Sequence, residues 1–213
     1  MLTVHHLGKS QSERVVWLCE ELGIPYDLRV YARDPVTMLA PPEYKVLHPL
    51  GAAPVITDGD VVLAESGAIV EYITQKHGGG RLTLPPSADA YATYLYWLHF
   101  TNGTLQPALG RGMVLRRAGA DEASPLMQAM ADRQRLALGL VEAQLAEGEF
   151  LVGLQFTAAD IIIMFTLTTM RYFLPVDLAS YPAILAYIQR LAARPAYQAA
   201  MSKGDPGMEL LLT

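Results

Sequence analysis

The sequence has little cysteine, little charge and no long apolar run, and each shortage excludes a class of protein. Its 213 residues include one cysteine, Cys19, so no disulfide can form within the chain. This fits a reducing compartment, and no second cysteine is present to complete a C-x-x-C redox motif. Cys19 falls on the apolar face of a predicted helix. We interpret it as a small buried hydrophobic residue, because a redox cysteine favours an exposed helix start.

Charged residues make up 17% of the chain, and their balance is acidic. There are 16 Lys and Arg residues against 21 Asp and Glu residues, a formal net charge of -5 at pH 7. No run is dense in Lys and Arg, so the chain lacks the basic face expected of a nucleic-acid binder. Hydrophobic residues reach 52%, which can fill a core and argues against disorder.

The longest apolar stretch, Ala158–Met170, is shorter than the roughly 20 residues that a membrane span needs. The opening residues, MLTVHHLGKS, lack the charged region and apolar core of a signal peptide. We therefore expect a cytoplasmic protein with no membrane partner.

Two adjacent histidines suggest a metal site, but their placement argues against one. Leu2, Val4 and His6 alternate with Thr3 and His5 in a short strand pattern. Successive side chains of a strand point to opposite faces, so these histidines cannot share a metal ion. No Cys/His/Asp cluster lies nearby in the sequence, and we predict no metal site.

The first third of the chain has the pattern of an α/β domain. A strand, a helix ending at Gly23 and a strand at Tyr26–Tyr31 precede a short helix and a hairpin that turns at Asp58-Gly59. A further helix begins at Ser66. The order βαβ-α-ββα predicts a thioredoxin-like domain over residues 1–78.

A Gly/Pro-rich segment, residues 79–87, reads as a linker. The remaining residues, 88–213, predict an all-helical domain. Its first helix is long and bent around Pro107, its second begins at Ser124-Pro125, and its third carries a capping box of Thr157 and Asp160. The fold class is thus α/β followed by all-α.

Four motifs occur in order along this pattern. They are "HHLGKSQSERVVWLCEELGIPY", "HPLGAAPVI", "LAESGAIVEYI" and "FTAADI". Together they resemble the cytosolic glutathione transferases over nearly the whole chain, and the first resembles the serine-type bacterial and fungal members. "YWLHFTNGTLQP" is similar to a fungal-like bacterial subgroup. The resemblance implies glutathione as co-substrate, a small hydrophobic electrophile as second substrate, conjugation with glutathione-dependent peroxidase activity, and a homodimer.

The resemblance makes a serine the catalytic group, and two serines compete for that role. The family pattern places the catalytic serine about four residues before an arginine, as Ser10 stands before Arg14; Ser12 is the second candidate. Ser10 and Glu13 also fit a helix capping box, so the motif has a purely structural interpretation. No base is evident beside either serine. The expected role is therefore a hydrogen bond from the hydroxyl to the glutathione thiolate.

The resemblance also assigns glutathione-binding positions. Pro54, after Ala53, corresponds to the cis-proline of the family, which is expected to turn the Val55 N–H and C=O outward as a strand edge for the cysteinyl backbone. Glu65 would accept from the ligand's ammonium. Ser66 stands at a helix N-terminus suited to the γ-glutamyl carboxylate, although it also fits a plain helix cap.

One position departs from the family pattern. Where the family carries a lysine for the glycyl carboxylate, this chain has Ala52, and His48 replaces an asparagine. We consider His48, Lys45 and Arg33 as substitutes.

The resemblance implies an electrophile pocket against the long first helix of the helical domain. Tyr96, Asn102 and Arg111 are candidates for it, and core or dimer packing is the competing interpretation. Two other functions stay open. One is a non-catalytic ligand-binding member, motivated by Ala52. The other is a cysteine-based reductase or dehalogenase, which would need Cys19 to be reactive.

Overall fold

A computed structural model of the chain describes residues 1–213. The chain forms two compact units. The first combines Met1–Leu84 with Leu191–Leu210, and the second combines Pro85–Arg190 with Leu211–Thr213.

The first unit is built on a four-stranded sheet in the order β2-β1-β3-β4. The strands are β1 Leu2–Leu7, β2 Asp27–Tyr31, β3 Val55–Asp58 and β4 Val61–Ala64. β1 pairs parallel with β2 and antiparallel with β3, and β3 pairs antiparallel with β4. The predicted hairpin is present, with Gly59 at φ +61° in the β3–β4 turn.

Four helices belong to this unit: α1 Glu13–Leu22, α2 Pro42–Lys45, α3 Ser66–Lys76 and α9 Pro195–Gly204. α1 is the crossover that the parallel pair β1 and β2 requires. It ends at Gly23, whose φ of +59° gives the left-handed cap expected from the sequence. The predicted thioredoxin-like arrangement is confirmed.

The helix α9 packs against α1 within the first unit. The rings of Trp17 and Tyr197 meet edge to face at 5.0 Å between centroids. The guanidinium of Arg194 donates to both carboxylate oxygens of Glu21, at 2.6 and 2.9 Å. The sequence placed all of residues 88–213 in one helical domain, whereas the contacts of α9 place it with residues 1–84.

The second unit is helical. Its elements are α4 Tyr91–Phe100, a π-helical segment Thr101–Leu105, α5 Gln106–Arg117, α6 Pro125–Glu147, α7 Ala158–Leu167, a 3₁₀ turn Thr169–Tyr172 and most of α8 Pro182–Ala192. The predicted long helix is therefore interrupted just before Pro107. A proline has no N–H and clashes with the preceding turn, and the wider π turn accommodates both effects.

Every residue of α7 is buried, and the hydrogen-bonded carboxylate of Asp160 fixes the start of the helix. Thr157 and Asp160 form the predicted capping box. Asp160 also accepts from the Leu151 N–H at 3.0 Å and from the Tyr187 hydroxyl at 2.7 Å. Although α7 is apolar throughout, neither it nor any other helix combines the length and hydropathy needed to cross a membrane.

Candidate functional site

The loop between β1 and α1 carries the two candidate serines. α1 begins at Glu13, and short turns lead into it, with the Glu13 N–H bonded to the Ser10 carbonyl at 3.1 Å. The Ser10 Oγ accepts from the Ser12 N–H at 3.2 Å, and no side chain caps the helix. The competing capping-box interpretation of Ser10 and Glu13 is therefore wrong, because the Ser10 hydroxyl accepts from Ser12, one residue before Glu13.

The two serine hydroxyls contact each other and lead to an imidazole. The Oγ atoms of Ser10 and Ser12 lie 2.7 Å apart. The Ser12 Oγ accepts from the Leu7 N–H at 3.0 Å and lies 3.0 Å from Nδ1 of His6. Ser12 is fully enclosed, whereas Ser10 keeps 4% of its surface exposed. Only Ser10 stands at the outer end of this chain of hydroxyls.

His6 is in turn held by the segment that follows α9. Its Nε2 lies 2.9 Å from Oδ2 of Asp205, and the Lys9 N–H donates to Oδ1 of the same carboxylate at 2.9 Å. Lys9 adopts φ +52°, a backbone conformation that non-glycine residues rarely occupy. The sequence showed no base near the serines. The structure places the imidazole of His6 next to Ser12, so that one hydroxyl separates it from Ser10. Asp205 gave no signal in the sequence.

The other histidine faces away, as the strand pattern predicts. His5 bonds the Tyr31 hydroxyl at 3.0 Å and the Thr57 hydroxyl at 3.2 Å. The two rings therefore lie in separate networks, and they do not share a site.

Arg14 connects the serine loop to the start of α3. It is fully buried, and its Nη1 donates to the Ser66 Oγ at 3.0 Å and to the Gln11 side chain. Burial lowers the pKa of Arg14 to about 9, which leaves the guanidinium charged at neutral pH. The sequence used Arg14 only as a spacing marker, and the structure gives it a contact with a predicted ligand-binding residue.

The pair Glu65-Ser66 forms the entry to α3. Ser66 is buried, and Glu65 is exposed with φ +71°. A non-glycine residue held at positive φ costs of order 1 kcal/mol, and such strain is concentrated at functional sites. The exposed carboxylate therefore lies beside the first helical turn, whose N–H groups have no partner within the helix.

The peptide bond Ala53–Pro54 is cis, as the resemblance implies. The expectation for Val55 is wrong, because β3 is an inner strand. Val55 pairs with His5 on one side and Ala64 on the other, and its N–H bonds the Tyr44 hydroxyl. The backbone that can pair with a peptide lies two residues earlier, at Ala53, outside the strand.

Three side chains were considered in place of the missing lysine at Ala52. Arg33 is committed elsewhere, because its guanidinium donates to three carbonyls of its own unit, those of Gly8, Lys9 and Met38. His48 is half-buried, with Nδ1 accepting from the Leu50 N–H at 3.2 Å. Lys45 is exposed.

Of the three residues proposed for the electrophile pocket, one lines a groove in the second unit. Arg111 lines an apolar groove of about 500 Å³ with Pro107, Val114 and Met130. Tyr96 and Asn102 are not among its lining residues. Tyr96 is half-exposed and meets the ring of Trp97 edge to face and the ring of Phe100 at a tilt.

A second cavity, of about 340 Å³, opens in the first unit beside the loop that carries Ser10. Lys9, Tyr31, Ala32, Asp205 and Met208 are among its lining residues. The sequence gave no indication of it, because its walls come from segments nearly two hundred residues apart.

Cys19 is fully buried, and burial raises the pKa of its thiol to about 12, with the Glu20 carboxylate adding to the effect. A thiol in that state is not a nucleophile at neutral pH.

Comparison with known proteins agrees with this geometry. A family model described as "Glutathione S-transferase, N-terminal domain" matches residues 10–76, and one described as "Glutathione S-transferase, C-terminal domain" matches residues 112–195. Glutathione S-transferase 3 of Schizosaccharomyces pombe is 33% identical, over 95% of this chain and 88% of that protein.

Solved structures agree as well. A glutathione S-transferase from Actinobacillus pleuropneumoniae is 35% identical with a TM-score of 0.88, covering 98% of this chain and 95% of that one. A sphingomonad glutathione S-transferase complexed with glutathione has the same fold, with a TM-score of 0.74 at 22% identity over 94% of this chain and 98% of its own. The chain belongs to the cytosolic glutathione S-transferase family.

Proposed function

We propose that the protein is a serine-type glutathione transferase, which binds glutathione and adds its thiolate to small hydrophobic electrophiles. The observation that carries the proposal is the position of the Ser10 hydroxyl, at the outer end of a buried hydroxyl chain and directly before α1. The relatives named glutathione S-transferases, and the sphingomonad protein solved with glutathione, support the choice of ligand.

The γ-glutamyl group of glutathione would bind at the start of α3. Its carboxylate fits the N–H groups of the first turn and the partial positive charge of the helix N-terminus. Glu65 is exposed there and would accept from the ligand's ammonium. The buried Arg14 donates to the Ser66 hydroxyl and so stabilises the start of α3.

The rest of the tripeptide would follow the edge of the first unit. The cysteinyl backbone fits Ala53, which lies outside the sheet beside the cis bond. The glycyl carboxylate would then meet His48 or Lys45. Both lie in the α2–β3 region, and neither donates to several backbone carbonyls as Arg33 does.

Ser10 would stabilise the thiolate by donating to it. An unperturbed thiol has a pKa of about 8.5, so lowering it by about 2 units needs about 2.7 kcal/mol in favour of the anion. A hydrogen bond to a charged group contributes about 1.5–3 kcal/mol, and the start of α1 adds about 0.3–1 kcal/mol. Together, the hydrogen bond and the helix N-terminus can supply the free energy that this pKa shift needs.

The electrophile would lie near the sulfur. The cavity beside Lys9 and Asp205 adjoins the Ser10 loop and offers one place for it. The apolar groove that Arg111 lines in the second unit is the other candidate for electrophile binding. We expect Lys9→Trp to change electrophile selectivity if the first place is used, and Val114→Trp if the second is.

Replacing Ser10 tests the proposal. We expect Ser10→Ala to lower kcat/KM for a chloronitroarene by about 10- to 100-fold, because one hydrogen bond to the thiolate is lost. Glutathione affinity should change much less. Ser10→Thr is the control, since it keeps the hydroxyl. Unchanged conjugation in Ser10→Ala would refute its role, and loss of activity in Ser12→Ala alone would transfer the role to Ser12.

An organic hydroperoxide assayed beside the chloronitroarene compares peroxidase with conjugation activity.

A non-catalytic, ligand-binding role is the second candidate, and Ala52 favours it, because no cation occupies the position that the family uses for the glycyl carboxylate. Calorimetry separates the two. Glutathione binding with turnover supports the enzyme, and no binding at millimolar glutathione supports the second role.

The proposal includes a homodimer. Apolar side chains that are exposed in the single chain support it: Leu126, Leu136 and Leu140 on α6. Light scattering after size-exclusion chromatography should give twice the 23.3 kDa chain mass. A single-chain mass at micromolar concentration would contradict it.

A further inference from the structure

A continuous line of polar groups runs inward from Ser10. Ser10 Oγ lies 2.7 Å from Ser12 Oγ, and Ser12 Oγ lies 3.0 Å from His6 Nδ1. His6 Nε2 lies 2.9 Å from Asp205 Oδ2. The two middle groups, Ser12 and His6, are fully buried, and the carboxylate keeps 8% of its surface exposed. Protons can therefore pass along this line without meeting solvent.

When the imidazole is neutral, the number of hydrogens fixes the donor and the acceptor of each hydrogen bond along the line. An ionised Asp205 only accepts, so Nε2 of His6 must carry the hydrogen and Nδ1 must be the acceptor. Nδ1 then needs a donor, and the Ser12 hydroxyl, 3.0 Å away, supplies it. The other two acceptors beside Ser12 do not need its hydrogen, because the Ser10 Oγ at 2.7 Å carries its own and the Leu7 carbonyl is farther away, at 3.4 Å. The hydrogen of Ser10 is directed inward to Ser12. In this state Ser10 cannot donate to a ligand.

The opposite state follows when one proton is added at the outer end. We propose that His6, held by Asp205, receives the thiol proton of glutathione through Ser12 and Ser10. This inference rests on the proposed function. His6 touches no reacting atom and acts through two hydroxyls, so it is a positioning residue that also holds the proton.

The step balances in protons and electrons. The S–H bond of glutathione breaks, and its proton joins the Ser10 Oγ. The original Ser10 proton passes to Ser12, and the original Ser12 proton passes to Nδ1 of His6. Nothing is oxidised or reduced. The products are a thiolate that accepts a hydrogen bond from Ser10 and an imidazolium that donates to Ser12 and to the Asp205 carboxylate.

The surroundings of His6 fix its ring and its charge partner. A Cβ on Gly204 would lie 3.1 Å from Nε2 and 3.3 Å from two ring carbons, so the glycine allows the ring to pack flat against α9. Asp205 faces the ring, and the Lys9 N–H orients that carboxylate. The charge of Arg33 also acts on Asp205. His5 is on the opposite face of β1, bonded to Tyr31 and Thr57.

Nitrogen NMR of the histidine side chains tests the proposal on the unaltered protein. The chain has five histidines, and His6→Gln and His5→Gln assign the two that matter. We expect the His6 ring to change from the neutral form to imidazolium when glutathione binds. S-methylglutathione, which has no thiol proton, should leave His6 neutral, and His5 should not respond to either ligand.

The same samples separate failure of this inference from failure of the proposed function. A His6 ring that stays neutral while ultraviolet absorbance shows bound thiolate overturns the proton transfer and leaves the transferase intact. Absence of any glutathione binding overturns the proposed function itself.

Variants of the middle group give a second test. Ser12→Ala interrupts the line, and Ser12→Thr keeps a hydroxyl in place. We expect Ser12→Ala to raise the pH midpoint of kcat/KM by about one unit or more. At a fixed pH below the midpoint, that shift lowers kcat/KM about tenfold. Ser12→Thr should restore the original midpoint. A change in KM with an unchanged midpoint would mean a structural role only and would overturn the proposal. If Ser12→Ala does not fold, the NMR experiment still decides.

Discussion

At the scale of single residues, burial determines which reactive side chains can react. Cys19 is the only thiol, yet it is enclosed on α1 and its pKa is raised to about 12. Ser10 has a far weaker acid as its functional group, and its hydroxyl is the outermost of the hydroxyl chain that leads to His6. The proposed site therefore depends on the position of a side chain more than on its intrinsic reactivity.

We therefore expect Cys19 to resist alkylation in the folded protein. Iodoacetamide at neutral pH should leave the chain unmodified over hours, as measured by intact-protein mass spectrometry, because the thiolate fraction is negligible. The same reagent in denaturant is the control and should label one site. Rapid labelling of the folded protein with loss of activity would revive a cysteine-based reaction.

The sequence was informative about residues wherever the signal was local. The alternation in β1 separated the two histidines, and the spacing of Ser10 and Arg14 identified the loop. It could not place Asp205 against His6, because that contact joins residues 199 positions apart and Asp205 belongs to no motif. The error at Val55 has a similar cause, since whether a strand is inner or outer depends on sheet order.

At the scale of elements, α7 depends most on a single side chain. Asp160 accepts the N–H groups of Thr157 and Leu151 and the hydroxyl of Tyr187. All of these donors are buried, so removing one acceptor leaves a donor unsatisfied at a cost of about 1–3 kcal/mol. The helix start thus links three separate segments of the second unit.

We expect Asp160→Asn to lower the free energy of unfolding by about 2–3 kcal/mol, because the amide NH₂ would face the Thr157 N–H. Urea unfolding measures this. Asp132→Asn on the exposed face of α6 is the matched control and should change stability by less than about 0.5 kcal/mol. Equal effects of the two variants would show that the buried acceptor is unimportant.

The bend around Pro107 shows what the sequence can say about an element. Proline predicted an interruption, and the structure has one directly before it. The form of the interruption, a π-helical turn from Thr101, depends on how the neighbouring helices pack and could not be derived from the residue itself.

At the scale of the whole molecule, one carboxylate ties the end of β3 to α3 and the residue after it. Asp58 accepts from Nε2 of His77 at 2.8 Å and from the Tyr72 hydroxyl at 3.0 Å, with Nζ of Lys76 at 3.4 Å. The hydrogen bond from His77 is the largest cause that lowers the pKa of Asp58, to about 2.

This carboxylate should contribute to stability against acid. Its pKa in the unfolded chain is about 3.9, so the contribution is complete above that pH and is lost as the pH falls towards 2. We expect Asp58→Asn to be less stable than the parent at pH 5, and the difference to shrink between about pH 4 and pH 2. Urea unfolding at several pH values measures it, with Asp60→Asn as control. A difference that does not vary with pH would contradict this role.

The order of helices and strands was predictable for nearly the whole chain, because each segment carries its own periodicity and turn residues. The assignment of α9 was not. Helical periodicity indicates that a helix exists, but not which distant surface its apolar side covers, and here Tyr197 covers Trp17.

The contact between Asp205, after α9, and His6 in β1 also affects how the protein folds during synthesis. A ribosome synthesises β1 and the serine loop first, yet Asp205 follows His6 by 199 residues. The loop therefore lacks its carboxylate partner until synthesis has passed α9, and the nascent first unit must persist without the helix that covers Trp17. Apolar surface exposed for that long favours contact with chaperones, and only a chain that has been translated past residue 205 can acquire the complete site.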